Sequence, residues 1–330
     1  MLSFNDIIGQ DGVKAHLTSA LAEKKISHAY IFAGEDGSGK MMLAERFAAA
    51  LQCDSEGTDP CGACLNCMQS EAHSHPDIIY VTHEKKDITV DDIRLQLVND
   101  IRVLPYSGRY KIYIVDEAEK MNEPAQNALL KTLEEPPEYA VILLLAENTG
   151  KFLQTILSRC VILDMRPVER TLIRDYLMAE KQLPDYVANL CASFSCGGIG
   201  KARRIAEDEG FIEAKDRVLR LVCDLDRMSQ SEISAAIAAI GDKNSAADLS
   251  DYFDLLSMWY RDVLVYKSTH NAERVLFSEN LHSVAEQAEA KSFPTLNNIF
   301  IELDLTKERL KNNVSFPAAM QLLVEAMKAK

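Results

Sequence analysis

His28-Ala29-Tyr30-Ile31-Phe32-Ala33-Gly34-Glu35-Asp36-Gly37-Ser38-Gly39-Lys40-Met41-Met42-Leu43 is the stretch that decides the fold. Five apolar residues, Ala29 to Ala33, run straight into a glycine-rich turn, and helix-forming residues follow at once. This is Gly-x4-Gly-Lys between a strand and a helix, the setting in which the pattern binds phosphate. Gly34, Gly37 and Gly39 let the backbone curl so that successive N–H groups, Ser38's among them, point inward at phosphate oxygens. The helix adds the positive end of its dipole, and Lys40 is placed to bridge the β- and γ-phosphates. The plain alternative is a surface turn with an ordinary lysine, and the flanking strand and helix argue against it. One position departs from the pattern. A Ser or Thr hydroxyl normally follows the lysine and ligates Mg²⁺; here Met41 stands there, and a thioether is a poor ligand for a hard cation. ATP with Mg²⁺ is therefore expected to be bound more readily than hydrolysed.

Outward from this stretch, four more β-type runs follow: Asp77–Val81, Lys111–Val115, Val141–Leu145 and Cys160–Leu163. Most are unbroken apolar runs, as strands buried on both faces of a parallel sheet are. Helix-period segments lie between them, Asp91–Val103 and Pro124–Glu134, the second with Asn122 as N-cap and Pro136-Pro137 as a stop. Alternating strands and helices predict a doubly wound α/β domain with a five-stranded parallel sheet. After about residue 165 the β-type runs cease. Thr171–Lys181, Asp185–Phe194 and Gly200–Glu209 predict a small helical unit with Gly197-Gly198 as a turn. Long amphipathic helices then take over, including Ala247–Tyr266 and Thr295–Lys311. The expected division is 1–165, 166–209 and 210–330.

Two further clusters carry chemistry. Lys111–Val115 delivers Asp116-Glu117 to the carboxyl end of a buried strand, where in phosphate-loop proteins an acid holds Mg²⁺ and its neighbour orients water. An acidic loop capping the next helix is the alternative. Of the eight cysteines, four fall within fifteen residues: Cys53, Cys61, Cys64 and Cys67. Four thiolates at this spacing favour a closed, tetrahedral, structural Zn²⁺ site over a redox pair. His73 and His75 lie near enough to substitute as ligands. Cys160, Cys191, Cys196 and Cys223 read as buried small hydrophobes.

Composition bounds the partners. Acidic residues outnumber basic ones 50 to 36, a net charge of −14, whereas a chain gripping DNA through its own surface usually carries the opposite sign. A zinc-dependent DNA-binding protein is disfavoured on that ground. The aliphatic run Val141–Ala146 is six residues, seven with Ala140, far below the roughly 20 that span a bilayer. Met1-Leu2-Ser3-Phe4-Asn5-Asp6 lacks a signal-peptide layout, so a cytoplasmic location is expected. There is no acidic pair on a palm-like strand arrangement, and so no polymerase chemistry.

Phe4-x2-Ile7-Ile8-Gly9-Gln10, His28–Phe32 with the loop after it, Asn127–Pro137 (NALLKTLEEPP) and Thr155–Cys160 (TILSRC) together resemble the clamp-loader ATPases within AAA+. More narrowly, they resemble the delta-prime type of bacterial DNA polymerase III. The resemblance runs from residue 4 to about 210. It implies an AAA+ domain with the zinc knuckle (53–67) inserted, a helical lid, and a helical collar joining five subunits in a ring. The implied partners are gamma/tau-type and delta-type subunits, with the sliding clamp and primed DNA reached through the assembly. It implies that Phe4–Gln10 lies against the adenine and that Arg159 is an arginine finger acting in the neighbour's ATP site. It also makes Arg203 a second-sensor candidate in the lid. Glu147-Asn148 stands where the family usually has a small polar sensor, and a carboxylate there repels γ-phosphate. Two readings stay open: an organiser with weak or absent hydrolysis, or a gamma/tau-type motor ATPase. Met41, Glu147 and the chain's length suit the organiser.

Overall fold

The computed structural model describes residues 3–55, 57–83, 87–241 and 249–329. It divides into two compact units: Met1–Ile173 with Cys196–Lys201, and Arg174–Ser195 with Ala202–Lys330. Residues 166–209 therefore contribute to both.

The first unit is built on five parallel strands: β1 (Ala29–Ala33), β2 (Ile78–Val81), β3 (Lys111–Val115), β4 (Ala140–Ala146) and β5 (Val161–Asp164), in the order β2-β3-β4-β1-β5. All five were expected from their apolar runs. The three central strands are buried along their whole length, and the edge strands only in part. Because side chains alternate across a sheet, each central strand feeds two cores. Tyr30, Phe32, Ile112, Ile114, Leu143 and Leu145 pack on one face with helices α1 (Asp11–Glu23) and α2 (Lys40–Gln52). Ile31, Tyr113, Val115, Ile142 and Leu144 pack on the other with Leu129 and Leu133. Between β1 and β2 lies the cysteine segment, carrying the short helix α3 (Leu65–Glu71).

The helix expected over Asp91–Val103 is shorter and broken. A single α turn, α4 (Val90–Ile93), passes into a π turn at Arg94–Val98. Lys111 explains the stop: its buried ammonium donates to the carbonyls of Asp100 and Val103 and pairs with the Asp100 carboxylate at 2.8 Å, drawing the chain out of the helix. Helix α5 (Glu123–Glu134) begins as predicted, with Asn122 Oδ1 accepting from the Ala125 N–H at 2.9 Å. The one-turn helix α6 (Gln154–Leu157) leads into β5.

Helix α7 (Arg170–Lys181) starts in the first unit. In the second lie α8 (Asp185–Phe194), most of α9 (Ile199–Glu207), α10 (Glu209–Asp224), α11 (Gln230–Ile240), α12 (Leu249–Thr269), α13 (Leu281–Ala290), α14 (Phe293–Lys311) and α15 (Phe316–Lys328). The helix expected from Ala247 is α12; Ala247 and Asp248 lie outside the described residues. Its fully buried Trp259 donates Nε1–H to Gln287, which donates in turn to the Val222 carbonyl. Buried Asp262 accepts from the N–H groups of Leu276 and Phe277. Among the described residues no helix is long and apolar enough to cross a membrane.

Candidate functional site

The sheet register places the phosphate loop. Ala33 lies beside Ala146 and Asp164, and Gly34 N–H continues the ladder to the Ala146 carbonyl at 3.0 Å. The chain then curls. Gly37 (φ +74°) and Gly39 (φ +94°) take left-handed conformations that disfavour side chains, and α2 begins at Lys40. A Cβ on Gly37 would stand 2.5 Å from the Lys201 nitrogen, and the Gly200 N–H donates to the Gly37 carbonyl at 2.9 Å. Only glycine permits that approach. Lys40 Nζ turns inward to the carbonyls of Gly34 (2.5 Å) and Glu35 (2.9 Å). Ser38 Oγ is buried without a protein partner and lines the cleft. Met41 packs against the apolar cluster of Leu43 and Phe47, so the position after the lysine offers this loop no oxygen ligand.

A cleft of about 300 Å³ opens beside the loop, lined by Gly34, Glu35, Ser38, Glu147, Asn148 and Asp164. Glu35, Glu147 and Asp164 bring three carboxylates to it. A second cavity of about 530 Å³ shares Asp164 and Pro167 with it and is walled by Gly9, Gln10 and Val13. Gln10 is fixed there by two bonds to Arg166, donating to its carbonyl at 2.7 Å and accepting from its N–H at 3.1 Å.

Asp116 and Glu117 follow β3 as expected, but among the described residues neither lines the cleft. Asp116 Oδ1 accepts from the Glu117 N–H at 2.9 Å. Glu117 sits at φ +49°, and its carboxylate is bound to Lys120 at 2.6 Å and lies 3.5 Å from His83 Nε2. The Lys120 hydrogen bond holds the Glu117 carboxyl below its ordinary value, so it is ionised and already partnered.

Arg159 lies in the turn between α6 and β5. Nη1 donates to the Thr155 carbonyl (2.9 Å) and Ser158 Oγ (3.2 Å), and Nη2 pairs with Glu134 at 2.9 Å. Two residues later, Val161 lies beside Tyr30, four residues before Gly34. At ~3.3 Å per residue Tyr30 to Gly34 spans about 13 Å, and Arg159 lies before the start of β5, at the strand ends opposite the phosphate loop. Arg203 pairs with Glu207 within α9.

The four cysteines converge: their Sγ atoms all lie within 4.8 Å of one another, with Cys61 and Cys67 at 3.9 Å. Thiolates ~2.3 Å from one tetrahedral metal would be about 3.8 Å apart, so this set can hold zinc. The N–H groups of Cys61, Cys64 and Cys67 each donate at 3.4 Å to the preceding cysteine's sulfur. Gly62, at φ +69°, supplies the turn between them. The backbone N–H groups of Ala63 and Cys64 lower the Cys61 thiol to about 6, whereas burial pushes Cys67 up. A cation among these sulfurs would favour full deprotonation. Neither histidine joins the cluster. His75 is buried, bonding Asn66 and the Asp77 N–H, and burial lowers its pKa; His73 contacts Tyr80.

Sequence reasoning missed several residues. Glu35 and Asp164 face the cleft, Glu134 holds Arg159, and Asp59 contacts Ser3 and Phe4. Cys196, expected to be buried, is exposed on the cleft's lip at φ +51°, because it sits in the tight turn before Gly197 rather than in a helix.

Comparison with known proteins places the chain as follows. The family described as "DNA polymerase III, delta subunit" matches residues 9–169. DNA polymerase III subunit delta' of Bacillus subtilis is 28% identical over 320 residues, covering 96% of this chain and 95% of that one. Subunit tau of the same organism is 30% identical over 317 residues, 88% of this chain but 55% of that protein. Subunit tau/gamma of Haemophilus influenzae is 37% identical over 176 residues, 53% of this chain and 25% of that protein. The chain thus spans nearly the whole of the delta' relative, and about half or less of the two tau-type relatives.

Proposed function

Because the chain belongs to the clamp-loader family of DNA polymerase III, we propose that it is the delta-prime-type organiser of that loader, binding nucleotide weakly and hydrolysing little or none. On this reading 1–165 is the AAA+ domain, 166–209 a lid and 210–330 a collar. It works in the cytoplasm with gamma/tau-type and delta-type subunits in a five-membered ring, meeting the clamp and primed DNA through them. Zn²⁺ at Cys53, Cys61, Cys64 and Cys67 is structural, since four thiolates leave no position for water.

The observation that carries the reading is the cleft beside the phosphate loop. Glu35, Glu147 and Asp164 line it, and no hydroxyl follows Lys40 to hold magnesium. The backbone of Gly34, Gly37, Ser38 and Gly39 suits a phosphate, but the surrounding side chains do not suit a magnesium–triphosphate. Asp116 and Glu117, the candidate metal acids, stand outside that cleft. Arg159, at the strand ends opposite the loop, is placed to serve a neighbour's loop and not its own, exchanging its bond to Glu134 for that neighbour's phosphate. A guanidinium there would stabilise charge on a phosphoryl group in transfer.

The motor reading keeps one specific support, the intact Gly-x4-Gly-Lys turn. Steady-state turnover separates the two. The purified chain is expected to show no ATPase above background, and motor-like turnover would refute the organiser. In a reconstituted loader, Arg159→Ala is expected to slow the adjacent site by on the order of a thousandfold. The Tm of the isolated subunit should shift by only about 2 °C or less, since an exposed ion pair contributes little. An unchanged rate removes the finger role.

A further inference from the structure

We propose that Asp59 makes the cysteine knuckle a clasp on residues Ser3–Gln10, so that metal at Cys53, Cys61, Cys64 and Cys67 sets the order of one wall of the larger cavity. Asp59 lies two residues before Cys61, on the chain that Cys53 and Cys61 would tie to one ion. Its carboxylate reaches across more than fifty residues of sequence, accepting from Ser3 Oγ at 2.6 Å and the Phe4 N–H at 2.9 Å.

The segment it grips is compact. Ser3 and Asp6 form a reciprocal capping box around the turn Phe4–Asp6, and Phe4 is buried in the core with Leu43 and Phe47. Ile7 O accepts from Lys14 Nζ at 2.9 Å. Gly9, at φ +67°, lies so close to Val168 that a Cβ would meet it at 2.9 Å. Gln10 ends the segment, locked to Arg166, and with Gly9 walls the cavity of about 530 Å³. The downstream end is thus fixed by the sheet domain itself. At the upstream end the side-chain tie is Asp59, whose place depends on how its own loop is held. Metal tetrahedrally bound to the flanking cysteines removes that loop's freedom, and Asp59 passes the constraint on through two charge-assisted hydrogen bonds.

The clasp stands on these contacts alone. Its bearing on nucleotide rests on the proposed function, together with the expectation from the family resemblance that Phe4–Gln10 lies against the adenine. The test is amide hydrogen exchange on four samples of the full chain: zinc-loaded wild type, wild type stripped by a chelator, zinc-loaded Asp59→Ala, and zinc-loaded Ser3→Ala. Zinc content is measured for each. Residues 4–10 are expected to exchange faster by on the order of tenfold in Asp59→Ala with zinc still bound. Stripping the wild type should do the same, stripping Asp59→Ala should add little, and β1 and β3 should not change.

Unchanged exchange of residues 4–10 in zinc-loaded Asp59→Ala overturns the clasp, as does full protection in the stripped wild type. Should Asp59→Ala lose zinc, Ser3→Ala decides through its coupling to the metal, because its lost cap acts with or without zinc: stripping Ser3→Ala should speed exchange clearly less than stripping the wild type, and an equal effect refutes the clasp. ADP titration of the same proteins separates the two claims. A loss of affinity in Asp59→Ala links clasp and base site, while absence of ADP binding in every sample counts against the nucleotide reading and leaves the exchange result to judge the clasp.

Discussion

Glu147 shows how one side chain weighs on a whole site. It lines the cleft beside Gly34 and Ser38, where a γ-phosphate would come. Two like charges about 5 Å apart repel by about 3 kcal/mol at an effective dielectric of 20. Glu147→Gln removes the charge and keeps the shape. It is expected to tighten ATP binding by about tenfold or more in isothermal titration, and an unchanged affinity would mean that the carboxylate faces away from bound phosphate. Met41 is legible in the sequence because it stands at a fixed offset from the phosphate-loop motif, whereas Glu147 is singled out only by the family resemblance; the harm proposed for Glu147 is what this titration tests. Glu35 also lies within that motif, but nothing in the spacing says that it turns into the cleft. Asp164 enters only because β5 pairs with β1. Glu134, twenty-five residues before Arg159, is brought to it by tertiary packing, and no local pattern announces such a pair.

At the scale of elements, the strands and the cysteine set were readable because burial on both faces writes continuous apolar runs and metal binding writes short spacings. The early end of the helix that starts with α4 was not, since its cause is a lysine on β3. The same region is braced by Asp77, which is buried beside β2. Its carboxylate accepts from the N–H groups of Tyr106, Ser107 and Gly108 at 2.6, 2.8 and 2.8 Å. Burial alone would raise its pKa, but these donors outweigh it and hold the carboxyl below its ordinary value. A depressed folded-state pKa means that the unfolded chain binds the proton more readily. The stabilisation is therefore complete above the unfolded value of about 3.9 and is lost as pH falls below it, through the folded value. Asp77→Asn is expected to cost about 2 kcal/mol or more at pH 7 and to flatten the acid limb of stability against pH, read by urea melts. An unaltered acid limb would show that another carboxylate sets it.

For the molecule as a whole, charge and topology speak most clearly. With fifty acidic and thirty-six basic residues, the isolated chain is expected to show no saturable binding to primed DNA below about 100 μM at physiological salt, by fluorescence anisotropy. Tight, salt-sensitive binding would call for a basic face that the overall charge conceals. Topology sets a second constraint. All five strands point the same way, so the phosphate loop leaves one rim of the sheet and the chain reaches Arg159 before entering from the other. On the proposed reading this makes the subunit an arrow, with a donor at one end and a receiver at the other. Arrows laid nose to tail can close into a ring in which each member receives from one side and gives to the other. A member whose receiver is crowded by carboxylates loses least where the preceding neighbour offers it no donor, and its own arginine still serves the next subunit in line.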